Sequence, residues 1–326
     1  METIIKTFKD NRMMDFCTPI IFGSSKVATI HRKAIKMTDF SFNIINNIKD
    51  INLKKANLLN IWQDDIEIKF GEATDKSGEL SFDSLKRASE ALKNNDIDAL
   101  VTAPINKASI QKKIPNFIGH TEFLQGNFQG ESLMIMASDI MKMAFVTGHI
   151  PLTKVKKSIT IENIIEKTKQ LNTALIEDFS IRTPKISILG LNPHAGENGL
   201  LGEEENECII PAVKKLKKEG IMAFGPYPAD SFFTSKNLQT FDGILSMYHD
   251  QGLTAFKTLS FSNGVNFTAG LDIIRTSPVH GTAYEISGQG IGDEKSFREA
   301  VFMACDIYKN RQNFKLLNKN PLAYNS

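Results

Sequence analysis

The sequence predicts an α/β protein of two domains built on a largely parallel sheet. Three observations carry this. Short apolar runs alternate with amphipathic helical patterns along the chain. The length of 326 residues exceeds the roughly 100 to 200 of one ordinary domain. Apolar residues at 41% and charged residues at 23% are globular values, well away from the polar, highly charged mix of disorder.

Each element follows from local pattern. The Asn- and Lys-rich "NIINNIKDINLKKANLLN" is more polar than its surroundings and reads as a peripheral helix and loop. "SFDSLKRASEALKNN" offers Ser81 as an N-cap, with Leu85, Ala88 and Leu92 spaced by three and four to share one helix face. "DIDALVTAP", "SLMIMAS" and "MAFVTGH" read as strands, and "TIENIIEKTKQLNTALIEDF" as the helix that follows them. Next come the strand "KISILGLNPH", the helix "CIIPAVKKLKKEG" stopped by Gly220, and the strands "DGILSMYHD" and "GVNFTAG". The last helix, "KSFREAVFMACDIYKN", carries Phe297, Val301, Ala304 and Tyr308 on one stripe that packs back on the fold.

Composition excludes several function classes. A net charge of +2, from 39 basic and 37 acidic residues, argues against a surface that tracks nucleic-acid phosphates. Cys17, Cys208 and Cys305 lie far apart with no CxxC pair, which disfavours a disulfide framework and a thiolate metal site. No run approaches the roughly 18 to 20 apolar residues of a membrane span, and the N-terminus lacks the apolar core of a signal peptide. The expected location is the cytoplasm.

Histidine placement carries the first chemical signal. His149 ends "MAFVTGH", His194 follows "ISILGLNP" and His249 follows "DGILSMY", so three histidines sit just past strand ends. In an open α/β sheet, ligands bind outside the carboxyl ends of the strands. Neutral imidazoles suit zinc and related divalent ions, and three of them leave a position open for substrate or water. Each histidine taken singly also fits a hydrogen-bonded structural role, and the spacing is no compact motif.

A second set suits a phosphate or carboxylate. Asn106 and Lys107 follow one strand, His120 and Thr121 lie in "GHTEFL", and Lys257, Asn266 and Arg275 come later. Cations and hydroxyl donors bind a small dianion through charge-assisted hydrogen bonds. Asp230 in "GPYPADSFF" and Asp250 beside His249 fit an acid or base, or acceptors that orient a ligating histidine; Asp230 also fits an N-cap. No GxGxxG occurs, so a Rossmann cofactor site has no local support.

"TAPINK", "GHTEFL", "LNPHAGENGLLGEEE", "GPYPADSFF", "YHDQGL" and "RTSPVHGTA" fall in the order seen in the 4-hydroxythreonine-4-phosphate dehydrogenases, and from about residue 15 to about 305 the chain resembles that family. These are NAD-dependent, metal-requiring enzymes of pyridoxal phosphate biosynthesis. The resemblance implies an isocitrate/isopropylmalate dehydrogenase-like fold: residues 1–128 plus 282–326 as the first domain and 129–281 as the second, with the active site in a cleft and completed across a homodimer. It implies His149, His194 and His249 as ligands of one divalent ion (Zn, Mg, Co or Mn), with His249 from the partner subunit. His120, Thr121, Lys257, Asn266 and Arg275 become the substrate set, and Lys257 with Asp230 or Asp250 the proton-transfer groups. His280, Gly281, Thr282 and Ala283 are expected to meet NAD or NADP.

The implied chemistry is oxidation and decarboxylation of 4-phosphooxy-L-threonine to 3-amino-2-oxopropyl phosphate. Two alternatives stay open: a related dehydrogenase of another hydroxy acid, such as a phospho-threonate, and a catalytically silent homologue that binds a phosphorylated ligand. The chain departs from the family at Val279, where Asp is usual. Its opening "METIIKTFKDNR" matches a helix that in the family follows a strand and a loop, so a helix is expected to come first here.

Overall fold

The computed structural model describes residues 1–62 and 66–320. The chain divides into two compact units, Met1–Gln129 with Asp272–Cys305, and Gly130–Leu271 with Asp306–Ser326. A helix, Glu2–Lys9, is the first element of the first unit.

In that unit β1 (Ile20–Gly23), β2 (Asn43–Ile45) and β3 (Asn57–Asn60) form a parallel sheet of order β1-β3-β2. The stretch expected to be a peripheral helix and loop thus supplies two strands, and β3 is the central one. Asn57 explains the misreading. It is fully buried, yet its Nδ2 donates to Asn52 O at 3.0 Å and Lys55 O at 2.9 Å while its Oδ1 accepts from Asn52 N at 2.8 Å and Asn43 Nδ2 at 2.9 Å. A satisfied amide can occupy a core that composition alone would give to an apolar residue. Leu58 beside it is fully buried among Phe8, Met13, Phe297 and Val301.

Helix Asp75–Lys93 starts earlier than its apolar stripe suggests. Thr74 is the cap, with Thr74 and Ser77 exchanging backbone-to-side-chain bonds in a capping box. Ser81 therefore lies inside the helix and donates to Ser77 O at 2.7 Å. The stripe itself holds, with Leu85, Ala88 and Leu92 all buried. The helix leads to β4 (Leu100–Val101).

The second unit holds β5 (Gly130–Ala137), β6 (Lys142–Thr147), β7 (Lys185–Leu189), β8 (Met222–Tyr227), β9 (Gly243–Tyr248) and β10 (Val265–Leu271), in the order β10-β5-β6-β9-β7-β8. β10/β5 and β5/β6 are antiparallel, whereas β6/β9, β9/β7 and β7/β8 are parallel. Four neighbouring strands therefore run the same way and end on one edge. Their apolar runs are continuous because both faces are covered: Met143, Ile186, Ile188 and Leu245 are fully buried. Helix Ile161–Glu177, capped by Thr160, contributes Ile164, Leu171 and Leu175 to that core. Helix Ile210–Lys218 stops before Gly220, whose φ of 82° is the left-handed conformation of a helix terminus.

Strand β11 (Arg275–Pro278) returns to the first unit and pairs in parallel with β4, Arg275 opposite Leu100. This pairing moves residues 272–281 out of the second unit, where the sequence had suggested them. The final helix, Lys295–Leu317, buries Phe297, Val301, Ala304 and Ile307; Ile307 takes the inward place expected of Tyr308. From Asp306 onward it groups with the second unit, where Arg311 Nε donates to Asp178 Oδ1 at 2.6 Å. Among the described residues no helix is long and apolar enough to cross a membrane.

Candidate active site

Parallel pairing decides where the histidines go. β6, β9 and β7 lie side by side, and His149, His249 and His194 each follow the carboxyl end of one of them. Strands at a spacing of about 4.8 Å place such residues on a single edge. The rings of His149 and His249 are 5.0 Å apart between centroids. His249 opens helix His249–Ser260, and its Nδ1 lies 2.6 Å from Asp250 Oδ1. A carboxylate at that nitrogen holds the proton on Nδ1 and leaves the Nε2 lone pair for a cation, the arrangement usual behind a metal-bound histidine. His194 is exposed in a turn where His194 to Asn198 all have positive φ. Among the described residues of one chain, no group of three His, Cys, Asp or Glu side chains is close enough to hold a metal.

Three supporting residues lie within the motifs that carry the resemblance, but the sequence assigns none of them a role. Gln251 Oε1 accepts from Met247 N at 2.8 Å and Ser246 Oγ at 3.0 Å, while its Nε2 donates to Gly190 O at 2.6 Å. It thereby fastens the start of the His249 helix to the end of β9 and to the start of the His194 turn. Glu205 Oε1 accepts from Leu191 N at 2.7 Å and Asn192 N at 2.8 Å. Glu204 accepts from Asn192 Nδ2 at 2.7 Å and pairs with Lys156. The fold buries both carboxylates.

The remaining candidates of this unit divide. Asp230 lies in the first turn of the short helix Ala229–Phe232 after β8, on the same sheet edge. Pro228 occupies its cap position and no side chain caps it, so the cap reading of Asp230 does not hold. Lys257 is exposed, about 12 Å along the helix axis from His249. Asn266, on β10, has a buried Oδ1 without a partner among the described residues, an acceptor free for a ligand's N–H or O–H.

In the first unit a cationic cluster forms around Arg275. This residue is 4% exposed and donates to Thr102 Oγ1 from Nη2 at 2.7 Å and from Nε at 3.1 Å. Burial brings it down to about 10, opposed by the charge of Glu122, so it stays protonated at neutral pH. His120 opens helix His120–Gln125, with Thr121 next to it. Burial first, then the charges of Arg275 and Lys107, push His120 down to about 3. Its imidazole is thus neutral beside two cations. A Cβ on Gly119 would meet Glu122 Oε2 at 2.8 Å and Lys107 Nζ at 3.2 Å, the movable ends of two flexible side chains, so the chain passes close between these charges. Asn106 has a structural task, accepting from Ser109 N as the cap of helix Lys107–Gln111.

Residues 280–283 follow β11 in open backbone. His280 Nδ1 contacts Gly281 O at 3.0 Å, and its Nε2 is buried without a partner among the described residues. A Cβ on Gly281 would touch nothing within 4 Å, and Ala283 is left-handed with φ 48°. The His280 Nε2 is thus a buried polar atom whose hydrogen bond the described residues do not supply.

An α/β sheet whose parallel strands end in imidazoles, in a chain that also buries an arginine within a cationic cluster, is the framework of an enzyme for a small anionic substrate. Residues 15–304 match the family described as pyridoxal phosphate biosynthetic protein PdxA, and the chain belongs to that family. It is 46% identical to a 4-hydroxythreonine-4-phosphate dehydrogenase from Bacteroides thetaiotaomicron, over 98% of this chain and 88% of that one. A provisionally named D-threonate 4-phosphate dehydrogenase from Oceanobacillus iheyensis is 38% identical, over 94% and 93%. Among solved structures, a 4-hydroxythreonine-4-phosphate dehydrogenase from Burkholderia phymatum superposes with a TM-score of 0.75 at 32% identity, covering 94% of this chain and 93% of that one. The protein is therefore an oxidoreductase, as the sequence motifs implied.

Proposed function

We propose that the chain oxidises the secondary alcohol of 4-phosphooxy-L-threonine, passing hydride to NAD or NADP, and that the resulting β-keto acid loses carbon dioxide to give 3-amino-2-oxopropyl phosphate. The observation that supports this reading is that His149, His194 and His249 all follow strand ends on one edge of the sheet in a chain of this family; across a two-fold axis, His249 of one copy would join His149 and His194 of the other. His149, His194 and the partner subunit's His249 would hold a divalent ion, one of Zn, Mg, Co or Mn, in a homodimer. When bound, such an ion supplies Lewis acidity to the alcohol and carbonyl oxygens.

The side chains divide the remaining work. Asp250 keeps the His249 ring in one tautomer. Lys257 with Asp230 or Asp250 forms the set that moves the hydroxyl proton, a carboxylate being its acceptor. Arg275, His120 and Thr121 bind the phosphate, where the neutral imidazole donates or accepts without repelling Arg275. Asn266 Oδ1 accepts from the substrate, and residues 280–283 meet the nicotinamide nucleotide.

The test is reduction of NAD by the purified protein with 4-phosphooxy-L-threonine, abolished by a chelator and restored by divalent metal. A second reading is supported by the 38% identical relative: D-threonate 4-phosphate, which carries hydroxyl in place of ammonium next to the carboxylate, as the true substrate. Comparison of kcat/KM for the two phosphates decides between them. Metal and cofactor binding with no turnover on either would sink both readings and leave a silent ligand-binding homologue.

A further inference from the structure

Two consecutive buried carboxylates converge on one amide beneath the His194 turn. Glu204 Oε2 and Glu205 Oε2 both accept from Asn192 Nδ2, at 2.7 Å and 2.9 Å. In a regular helix, neighbouring side chains diverge by about 100° and do not share a partner. Here a π-helical turn, Glu205–Ile209, begins at the second of them, and such turns recur where a side chain has been re-aimed for function.

The two carboxylates differ in how their charge is met. Glu204 pairs with Lys156, and its carboxyl is held down at about 2 by that bond and by the Asn192 amide. Lys156 lies in helix Leu152–Ser158, just after His149. Glu205 is 2% exposed and has no cation partner among the described residues. Its charge is met only by N–H groups: Leu191 N, Asn192 N and Asn192 Nδ2. Burying a carboxylate without a cation is costly. Three donors from one short segment make it a clamp on that segment.

The turn that follows the clamped residues is strained. His194, Ala195, Glu197 and Asn198 all carry φ between 44° and 57°, a region disfavoured for L-residues and kept only where the surroundings over-determine it. The fit around the carboxylates is close: a Cβ on Gly196 would sit 2.6 Å from Glu205 Oε2, and one on Gly202 2.4 Å from Asn192 Nδ2.

We propose that Glu205, assisted by Glu204, is the positioning residue that sets the His194 turn and so the direction from which His194 reaches the cation. The Lys156–Glu204–Asn192 chain of contacts couples that turn to the segment after His149. The inference rests on the reading of His194 as a metal ligand.

The test compares wild type with Glu205→Gln and His194→Ala, using Co²⁺ alone as the probe. Glutamine keeps the size but sets an N–H group against either the two backbone N–H donors or the Asn192 amide. Glu205→Gln is expected to weaken Co²⁺ binding about 10- to 100-fold, to alter the visible Co²⁺ absorption, and to lower kcat more than it raises KM. Amide exchange at Leu191 and Asn192, measured without metal, should speed by about tenfold or more. Unchanged Co²⁺ affinity and spectrum in Glu205→Gln, while His194→Ala abolishes binding, would overturn the inference and spare the metal reading. Full Co²⁺ binding by His194→Ala would sink the metal reading and, with it, the part of the inference that aims His194 at the cation. Unchanged exchange at the two amides would overturn the clamp on its own. Should Glu205→Gln fail to fold, Asn192→Ala removes the shared amide and leaves the backbone bonds; Co²⁺ affinity equal to wild type would then count against the proposal.

Discussion

Asp178 Oδ1 accepts a 2.6 Å hydrogen bond from Arg311 Nε, with only 4% and 17% of the two side chains exposed. Arg311 Nη1 also donates to Leu271 O at 3.3 Å, and Asn310 Nδ2 to Asp178 O at 2.7 Å. The last turns of the final helix are thereby fixed to the second unit. Removing one partner strands a buried charge, so Asp178→Ala should destabilise the protein by about 3 to 5 kcal/mol, measured by urea unfolding. The double variant Asp178→Leu with Arg311→Met should recover most of the loss.

His31 contributes a dependence on acid. Burial first, then the charge of the N-terminus, pushes it down to about 4, and its ring packs edge-on against Phe70 with 5.1 Å between centroids. The folded state thus resists a proton that the unfolded chain takes up near pH 6.5. Stability from this group is complete above pH 6.5 and is lost as pH falls towards 4, up to about 3 kcal/mol. His31→Leu should flatten that limb of the stability curve. An equal acid loss in the variant would show that His31 does not cause it.

Arg275 should behave as a ligand anchor. With two donors on Thr102 Oγ1, its guanidinium is fixed in plane, a geometry that lysine cannot copy. Both Arg275→Ala and Arg275→Lys should raise KM for the phosphorylated substrate by about 10- to 100-fold, corresponding to the 1.5 to 3 kcal/mol of charge-assisted bonds. Binding of NAD alone should be little changed.

Asp250 should act on the metal through His249. Asp250→Asn preserves shape but removes the charge that holds the proton on Nδ1. The expected outcome is a loss of about 10- to 100-fold in divalent-metal affinity, read by competition with a chromogenic chelator. Restoration of turnover at high metal concentration would separate this effect from a direct part in proton transfer.

What could be read in the sequence follows from what each residue advertises. The strands of residues 130–271 announce themselves as apolar runs because they are covered on both faces, and His149, His194 and His249 stand out where those runs stop. β2 and β3 are hidden because Asn57, the most buried polar group among them, resembles surface in composition and is core only through the hydrogen bonds its side chain makes with its own loop, β2 and Pro19. The start of helix Asp75–Lys93 is masked by a polar first turn, in which the Thr74–Ser77 exchange leaves no apolar trace. The burial of Glu204 and Glu205 is invisible for the converse reason. Carboxylates at the head of a helix are commonplace, and only the turn of residues 190–202 folded over them makes them interior.

The return of β11 to β4 bears on how the protein is made. As the polypeptide leaves the ribosome, β4 emerges long before the strand that will pair with it, and Gly130–Leu271, with every strand of the second unit, is synthesised in the interval. A nascent chain stopped after Leu271 would hold every strand of the second unit but an unfinished first one, with the edge of β4 unpaired. Such truncated products should need chaperone cover, and gene fragments cut at that point are poor choices for expression; a circular permutant opened inside the second unit would bring the two halves of the first unit together in translation.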